Sequence, residues 1–296
     1  MPDSVVERLV VVGAGLAGLR AVEAARREGY AGPITLVGAE EHLPYDRPPL
    51  SKAVLHGEAM VEPFVSAADF AHLGVELLLG APATALDTRR RVVSVGTVEL
   101  AYDALVIATG ATPRPLDTLL DGLPTPAGVH TLRTAEDAHA IRDALDSGAR
   151  TVVIGAGFIG SEVASSARRR GLAVTIVEAL DLPLTRSVGP EAGRVCADLH
   201  RAHGTELRLG VGVSRIEQAA GHVTGVLLDD GVLLPADLVV VGTGVLPCTA
   251  WLEGSGLTLH ERDRASSATT GSGPAPRGCT PPATRRTRPT PCSTAS

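Results

Sequence analysis

The 296 residues carry 27 Lys and Arg against 33 Asp and Glu, a formal net charge of -6, which argues against a nucleic-acid-binding surface. The chain is 44% hydrophobic but only 2% aromatic, so its core is aliphatic, as parallel strands buried on both faces require. The length suffices for two α/β domains; no apolar run reaches membrane-spanning length, the N-terminus lacks a charged-then-apolar secretory pattern, and a cytoplasmic location is the expectation.

The first predicted element is a strand over Leu9 to Val12, followed by Gly13-Ala-Gly-Leu-Ala-Gly18 and a helix from about Leu16 to Glu28 that Gly29 stops. Gly13 permits the tight turn, Gly15 lets backbone approach a pyrophosphate, and Gly18 lets the helix pack closely on the strand. The N-terminal amides and dipole of that helix face the phosphates. A second strand, Pro33 to Val37, leads to Glu40, where an acid accepts hydrogen bonds from a ribose. Two β-rich insertions are expected at Val75 to Val98 and at Glu206 to Val232, the latter with a hairpin signal at Asp229-Asp-Gly231. The run Tyr102-Asp-Ala-Leu-Val-Ile-Ala-Thr-Gly110 reads as a buried strand ending in a small-residue turn, with Asp103 at its start, then a crossover.

About 140 residues after the first glycine turn the pattern repeats. The strand is Arg150 to Ile154, the turn glycines are Gly155, Gly157 and Gly160, and the helix runs from about Phe158 to Arg170. The next strand, Leu172 to Val177, closes on Glu178, whose carboxylate favours free ribose hydroxyls and repels a 2′-phosphate, pointing to NADH over NADPH. The residues directly after Glu178 offer no Arg, although Arg186 is not far along the chain. The crossover recurs too, as Ala236-Asp-Leu-Val-Val-Val-Gly-Thr-Gly244. One G-x-G-x-x-G alone is often only a tight βα turn; here strand, glycines, helix, second strand and terminal acid agree in both copies. Two tandem sites suggest two dinucleotides held so that electrons pass between them.

Cys196, Cys248, Cys279 and Cys292 form no C-x-x-C pair, which excludes a dithiol relay and argues against zinc. Cys196 reads as a half-buried helix residue. His200 and His203 are three apart on a predicted helix but have no further ligands nearby.

Two tandem dinucleotide folds, an Ala-Thr-Gly strand end at 108–110, a Gly-Thr-Gly strand end at 242–244 and the absence of C-x-x-C resemble the FAD-dependent ferredoxin reductases of oxygenase chains, which share their fold with rubredoxin and putidaredoxin reductases. The most specific match is Leu43-Pro-Tyr-Asp-Arg-Pro-Pro-Leu-Ser-Lys52; Thr131-Leu-Arg-Thr-Ala-Glu-Asp-Ala138 is a second. The resemblance covers roughly residues 5 to 262 and implies an α/β fold of two tandem Rossmann-like domains. The FAD-binding domain would comprise 1–110 and 241–262, the NAD-binding domain 111–240. It further implies that Gly13, Gly15, Ala17 and Gly18 hold the FAD pyrophosphate, Glu40 the adenosine ribose, and Ala83 the adenine side. Arg47, Pro48 and Lys52 would lie near the ribose and flavin, with Arg133 reaching FAD from the linker. Gly155, Gly157, Ile159, Gly160 and Glu178 would bind NADH. Thr109, Gly110, Gly242 and Gly244 at the two strand ends complete the cofactor-binding set.

Lys52 and Glu162 would pair beside the flavin as the catalytic residues. A cation there stabilises an anionic reduced flavin, and a neighbouring carboxylate fixes the lysine. Hydride transfer needs its two reacting atoms within about 3–3.5 Å. Pro-Pro-Leu-Ser-Lys also reads as plain helix-start chemistry, and Glu162 as an exposed helix residue. The implied activity is NADH-dependent reduction of an iron–sulfur ferredoxin or rubredoxin through FAD, with no nucleic-acid or membrane partner. The alternatives are a non-catalytic NAD(H)-binding remnant, or the NADH–FAD module of a nitrite reductase or NADH oxidase. An oxidase would want a reactive cysteine near the flavin, where this chain has His42.

After Leu259 no Val, Ile, Leu, Met, Phe, Trp or Tyr occurs through Ser296, so disorder is the expectation there. The resemblance implies instead a second FAD motif ending Tyr-Ala-Ala-Gly-Asp, then a C-terminal domain. Read one base out of frame, Gly278-Cys-Thr-Pro-Pro-Ala-Thr284 is compatible with Leu-Tyr-Ala-Ala-Gly-Asp. A frameshift near Glu261 to Arg264, in the gene or its sequencing, is therefore expected, leaving residues 263–296 out of frame and the FAD domain incomplete. Resequencing that locus decides it: an uninterrupted frame with no missing or extra base removes the idea.

Overall fold

The computed structural model describes residues 6–259; the frameshift, the out-of-frame tail and Cys279 and Cys292 lie outside the described residues. Strand β1 (Leu9–Val12) is a wholly buried aliphatic run, followed by α1 (Leu16–Arg27) and β2 (Ile34–Val37). A single 3₁₀ turn occupies Pro48–Ser51, with proline at its first positions. Next come α2 (Ala67–His72), β3 (Val75–Leu78), β4 (Ala83–Asp87), β5 (Val92–Val95), β6 (Val98–Ala101) and β7 (Ala104–Ile107). The first sheet is parallel, ordered β3-β2-β1-β7, with Leu9 level with both Ile34 and Ala104. Because successive residues of a strand face opposite sides, Leu9 and Val11 pack with Leu19 and Val22 of α1, while Val10 and Val12 pack with Leu86, Val93 and Val95 of the antiparallel β4-β5-β6 layer.

The second half repeats the plan. Its elements are β8 (Ala111–Pro113), β9 (Val129–His130), α3 (Ala135–Asp146), β10 (Thr151–Ile154), α4 (Phe158–Arg169), β11 (Val174–Glu178), α5 (Thr185–Ala202) and β12 (Glu206–Leu209). There follow β13 (Val213–Ala219), β14 (His222–Leu228), β15 (Leu233–Pro235), β16 (Leu238–Val241) and β17 (Val245–Pro247). The second sheet is also parallel, ordered β12-β11-β10-β16-β9, and the antiparallel β13-β14-β15 layer covers one face. The expected insertions are thus smaller than their sequence spans. Their leading strands, β3 and β12, join the parallel sheets, because their backbones pair with β2 and β11. The Asp229-Asp-Gly231 hairpin turn is present, with Gly231 at φ +83°. Helix and strand ends shift by one or two residues from expectation, as fraying ends do. Helix α5 is broken at Gly189 (φ +79°), where Pro190 begins the second segment. Cys196 is half-buried on that helix.

The repeat extends to its clasps. Asp103 accepts the Arg8 amide at 2.9 Å, and Asp237 accepts the Arg150 amide at 3.1 Å and both arms of its guanidinium at 2.7 Å. Each aspartate ties the strand that leads into a crossover to the strand before a glycine turn. The two crossovers pair with each other as β8 and β17, antiparallel. Beyond β17, Trp251 and Leu252 return to the core of the first sheet. In the opposite direction, Tyr45, Leu50, Val54 and Leu55, from the loop after β2, are buried in the core of the second sheet beside Ile141, Val163 and Val240. That loop carries Arg47 and Lys52 into the seam between the two halves. Among the described residues no helix is long and apolar enough to cross a membrane.

Candidate functional site

Both glycine turns sit at the C-terminal ends of their central strands, where open α/β sheets bind ligands. Gly13 and Gly155 have φ of +117° and +101°, and a Cβ there would run into the carbonyls of Ala108 and Gly242 respectively. At Gly18 and Gly160 a Cβ would strike the carbonyl oxygens of Gly13 and Gly155. At Gly15, by contrast, a Cβ would meet nothing within 4 Å, and at Gly157 the nearest atom, the Gly242 carbonyl oxygen, is 4.0 Å away. Open space therefore lies against the amides that begin α1 and α4, a cradle fit for a pyrophosphate.

Three cavities are lined by these turns and by the loop after β2. The first, of about 510 Å³, is lined by Gly13, Gly15, Ala17, Glu40, Arg47, Pro48, Ala83, Thr109, Gly110 and Arg133. Its size is that of a small-molecule site. Gly18 packs beneath it rather than lining it. Arg47 ties this cavity together: its guanidinium donates to Glu40, to the Tyr45 hydroxyl at 3.2 Å and to the Arg133 carbonyl at 2.7 Å. Tyr45 donates to the other Glu40 oxygen at 2.6 Å; burial, then that bond to a carboxylate, push its phenol well above the ordinary value. Arg133 lies across Gly110, and burial, then the neighbouring Arg47, push its guanidinium down. His42 pairs with Glu136 of α3, whose carboxyl that hydrogen bond holds down to about 2.

The second cavity, of about 450 Å³, is lined by Gly155, Gly157, Glu178, Gly242 and Gly244. Glu178 accepts the Ala156 amide at 2.8 Å and the Leu180 amide at 3.0 Å, one on each oxygen. Arg186, not far from Glu178 along the chain, lines this cavity as well. The reason is that Leu184, at φ +57°, turns the chain back and donates its amide to the Ala156 carbonyl at 3.0 Å.

The third cavity, of about 500 Å³, adjoins the first. It shares Arg47, Pro48 and Arg133 with the first, and its Phe158 directly follows Gly157 of the second. Here Lys52 forms an ion pair with Glu162 at 2.9 Å, and the Ser51 hydroxyl donates to the other Glu162 oxygen. Lys52 is 53% exposed, so the pair contributes under about 1 kcal/mol to stability; what it does is place a cation. Ile159, expected to bind NADH, lines this middle cavity, and Gly160 packs α4 against Val153 of β10. Sequence reasoning missed Ser51 and Tyr45 as partners of Glu162 and Glu40, although both stand in the Leu43–Lys52 segment. It also missed Cys248 and Trp251 in the first cavity, for which the chain holds no local signal: burial, foremost, raises the Cys248 thiol.

The chain matches a family model described as pyridine nucleotide-disulphide oxidoreductase over residues 7–270. It is 42% identical over 242 residues to rhodocoxin reductase of Rhodococcus erythropolis, covering 81% of this chain and 56% of that protein. It is 39% identical over 251 residues to the ferredoxin--NAD(+) reductase subunit of the benzene 1,2-dioxygenase system of Pseudomonas putida, covering 84% and 60%. Its structure is similar to the crystal structure of the covalent putidaredoxin reductase–putidaredoxin complex, with a TM-score of 0.82 at 37% identity, covering 86% and 62%. The chain thus spans about 60% of the length of the relatives it matches.

Proposed function

This chain belongs to the pyridine nucleotide-disulphide oxidoreductase family, and on that premise we propose that it is an NADH-dependent FAD flavoprotein reductase that passes electrons to an iron–sulfur ferredoxin of an oxygenase-type chain. The observation that carries the reading is that the Gly13 cavity and the cavity holding the Lys52–Glu162 pair share Arg47, Pro48 and Arg133, and that the latter is lined by Phe158, next in the chain to Gly157 of the Gly155 cavity. Residues 1–110 with 241–262 form the FAD-binding domain of this reading, and 111–240 the NAD-binding domain. A cytoplasmic location, where NADH is supplied, goes with it.

In this reading Gly13, Gly15 and Ala17 hold the FAD pyrophosphate against the start of α1, Glu40 takes the adenosine ribose, and Ala83 flanks the adenine. Arg133 and Arg47 close the cavity from the linker side. Gly155 and Gly157 hold the second pyrophosphate, Glu178 the second ribose. Bound FAD would supply two-electron uptake from a nicotinamide and one-electron delivery to an iron–sulfur centre. The protein's part is to orient and to exclude water. Leu50 and Leu132, 2% and 8% exposed, wall the middle cavity. Lys52, steered by Glu162 and Ser51, holds positive charge where negative charge develops. No side chain need act as an acid or base.

Purified protein supplied with FAD tests the reading. Yellow protein whose flavin absorbance is bleached by NADH, and which then reduces an added ferredoxin, supports it. Colourless protein that still binds NADH is a nucleotide-binding remnant and contradicts it.

A further inference from the structure

Among the residues lining the second cavity two carry formal charge, Glu178 and Arg186. They are not partners. Glu178 spends one lone pair of each oxygen on the backbone amides of Ala156 and Leu180, which anchors its charge at the end of β11. Arg186 is exposed and makes no hydrogen bond or ion pair with any other described residue. It stands in the first turn of α5, two residues past Leu184, whose amide is bonded to the glycine turn itself. An unspent guanidinium in a nucleotide cleft suits phosphate, which it engages through two parallel donors. A carboxylate at the ribose end repels the same phosphate.

We propose that Arg186 is a specificity residue of this cleft, a ready partner for a phosphate on the ribose 2′-oxygen, so that exclusion of NADPH rests on Glu178 alone. The inference rests on the reading of the second cavity as the nicotinamide-nucleotide site. Neutralising Glu178 leaves one cation and no anion along the cleft, and the discrimination reverses without any new residue being introduced.

The test is calorimetric binding of NADH and NADPH to the full chain, wild type, Glu178→Gln and the double variant Glu178→Gln/Arg186→Ala. The NADPH-to-NADH affinity ratio is expected to rise about tenfold or more in Glu178→Gln, and to fall back toward the wild-type ratio in the double variant. A ratio that does not rise, or one that rises equally in both variants, overturns the role of Arg186. Gln retains a single acceptor oxygen for two amides, so folding of each variant is checked by circular dichroism. Should Glu178→Gln not fold, Arg186→Glu on the wild-type background is read by equilibrium dialysis at millimolar nucleotide. It is expected to lower the ratio about tenfold, and an unchanged ratio overturns the proposal. Wild-type protein that binds neither nucleotide refutes the reading of the cleft itself, a distinct result.

Discussion

Lys52 and Glu162 stand 110 residues apart in sequence yet form an ion pair, because the loop holding Lys52 is pinned by Leu50, Val54 and Leu55 in the core under α4. Positive charge so placed acts on the rate of reduction, not on folding. Lys52→Met is expected to leave FAD content and melting temperature unchanged and to slow flavin reduction by NADH about 10²-fold in anaerobic stopped flow; a rate within about twofold of wild type would remove Lys52 from the chemistry. The His42–Glu136 pair works on folding instead. The Glu136 carboxyl is lowered from 4.5 to about 2, first by its bond to His42. A depressed carboxyl stabilises the fold fully above its unfolded value and loses that contribution as pH falls through its folded value. Acid melts of wild type and Glu136→Gln are therefore expected to differ above pH 4.5 and to converge toward pH 2; a constant gap down to pH 2 contradicts the assignment. The pair is mostly exposed, so the gap is small.

Within the strand–turn–helix element the three glycines separate into two kinds, and the geometry gives each a different mutational outcome. Gly18→Ala forces a methyl into the Gly13 carbonyl between α1 and β1, and a loss of roughly 1–3 kcal/mol is expected in chemical denaturation. Gly15→Ala meets no protein atom, so its stability is expected to match wild type while FAD retention on gel filtration falls. Equal stability losses at both positions would mean that the space beside Gly15 is not a ligand cradle. These roles were legible in the sequence, since a β-branched run, G-x-G-x-x-G and a terminal acid constrain one local structure. So was Asp103 at its strand start. The boundary between parallel sheet and insertion was not. Val75–Leu78 and Glu206–Leu209 look like any short strand, and only their pairing with β2 and β11 assigns them to the main sheets.

At the scale of the whole molecule, the two halves are joined by reciprocal exchange. The loop after β2 is buried in the second core, and the segment with Trp251 returns to the first. Arg169 reaches Glu58 at 2.7 Å and His56 at 2.9 Å, and Arg170 reaches the Leu55 carbonyl at 2.6 Å, which fastens the same loop to α4 from outside. The resemblance already assigned 241–262 to the first half, but nothing in the sequence showed that the loop after β2 is buried in the second core. Tyr45, Leu50, Val54 and Leu55 follow neither a helical nor a strand period, and the contacts that bury them come from elements about 85 to 190 residues further on. Arg186 was visible in the sequence as not far from Glu178, but that it lines the same cavity depends on one left-handed residue, Leu184. That the two clefts open into one another is the claim on which the proposed electron path depends. Anaerobic titration of the FAD-supplied protein with NADH, followed by flavin absorbance, tests it most directly. Stoichiometric bleaching is predicted; a protein that retains FAD and binds NADH, yet stays yellow, would contradict it.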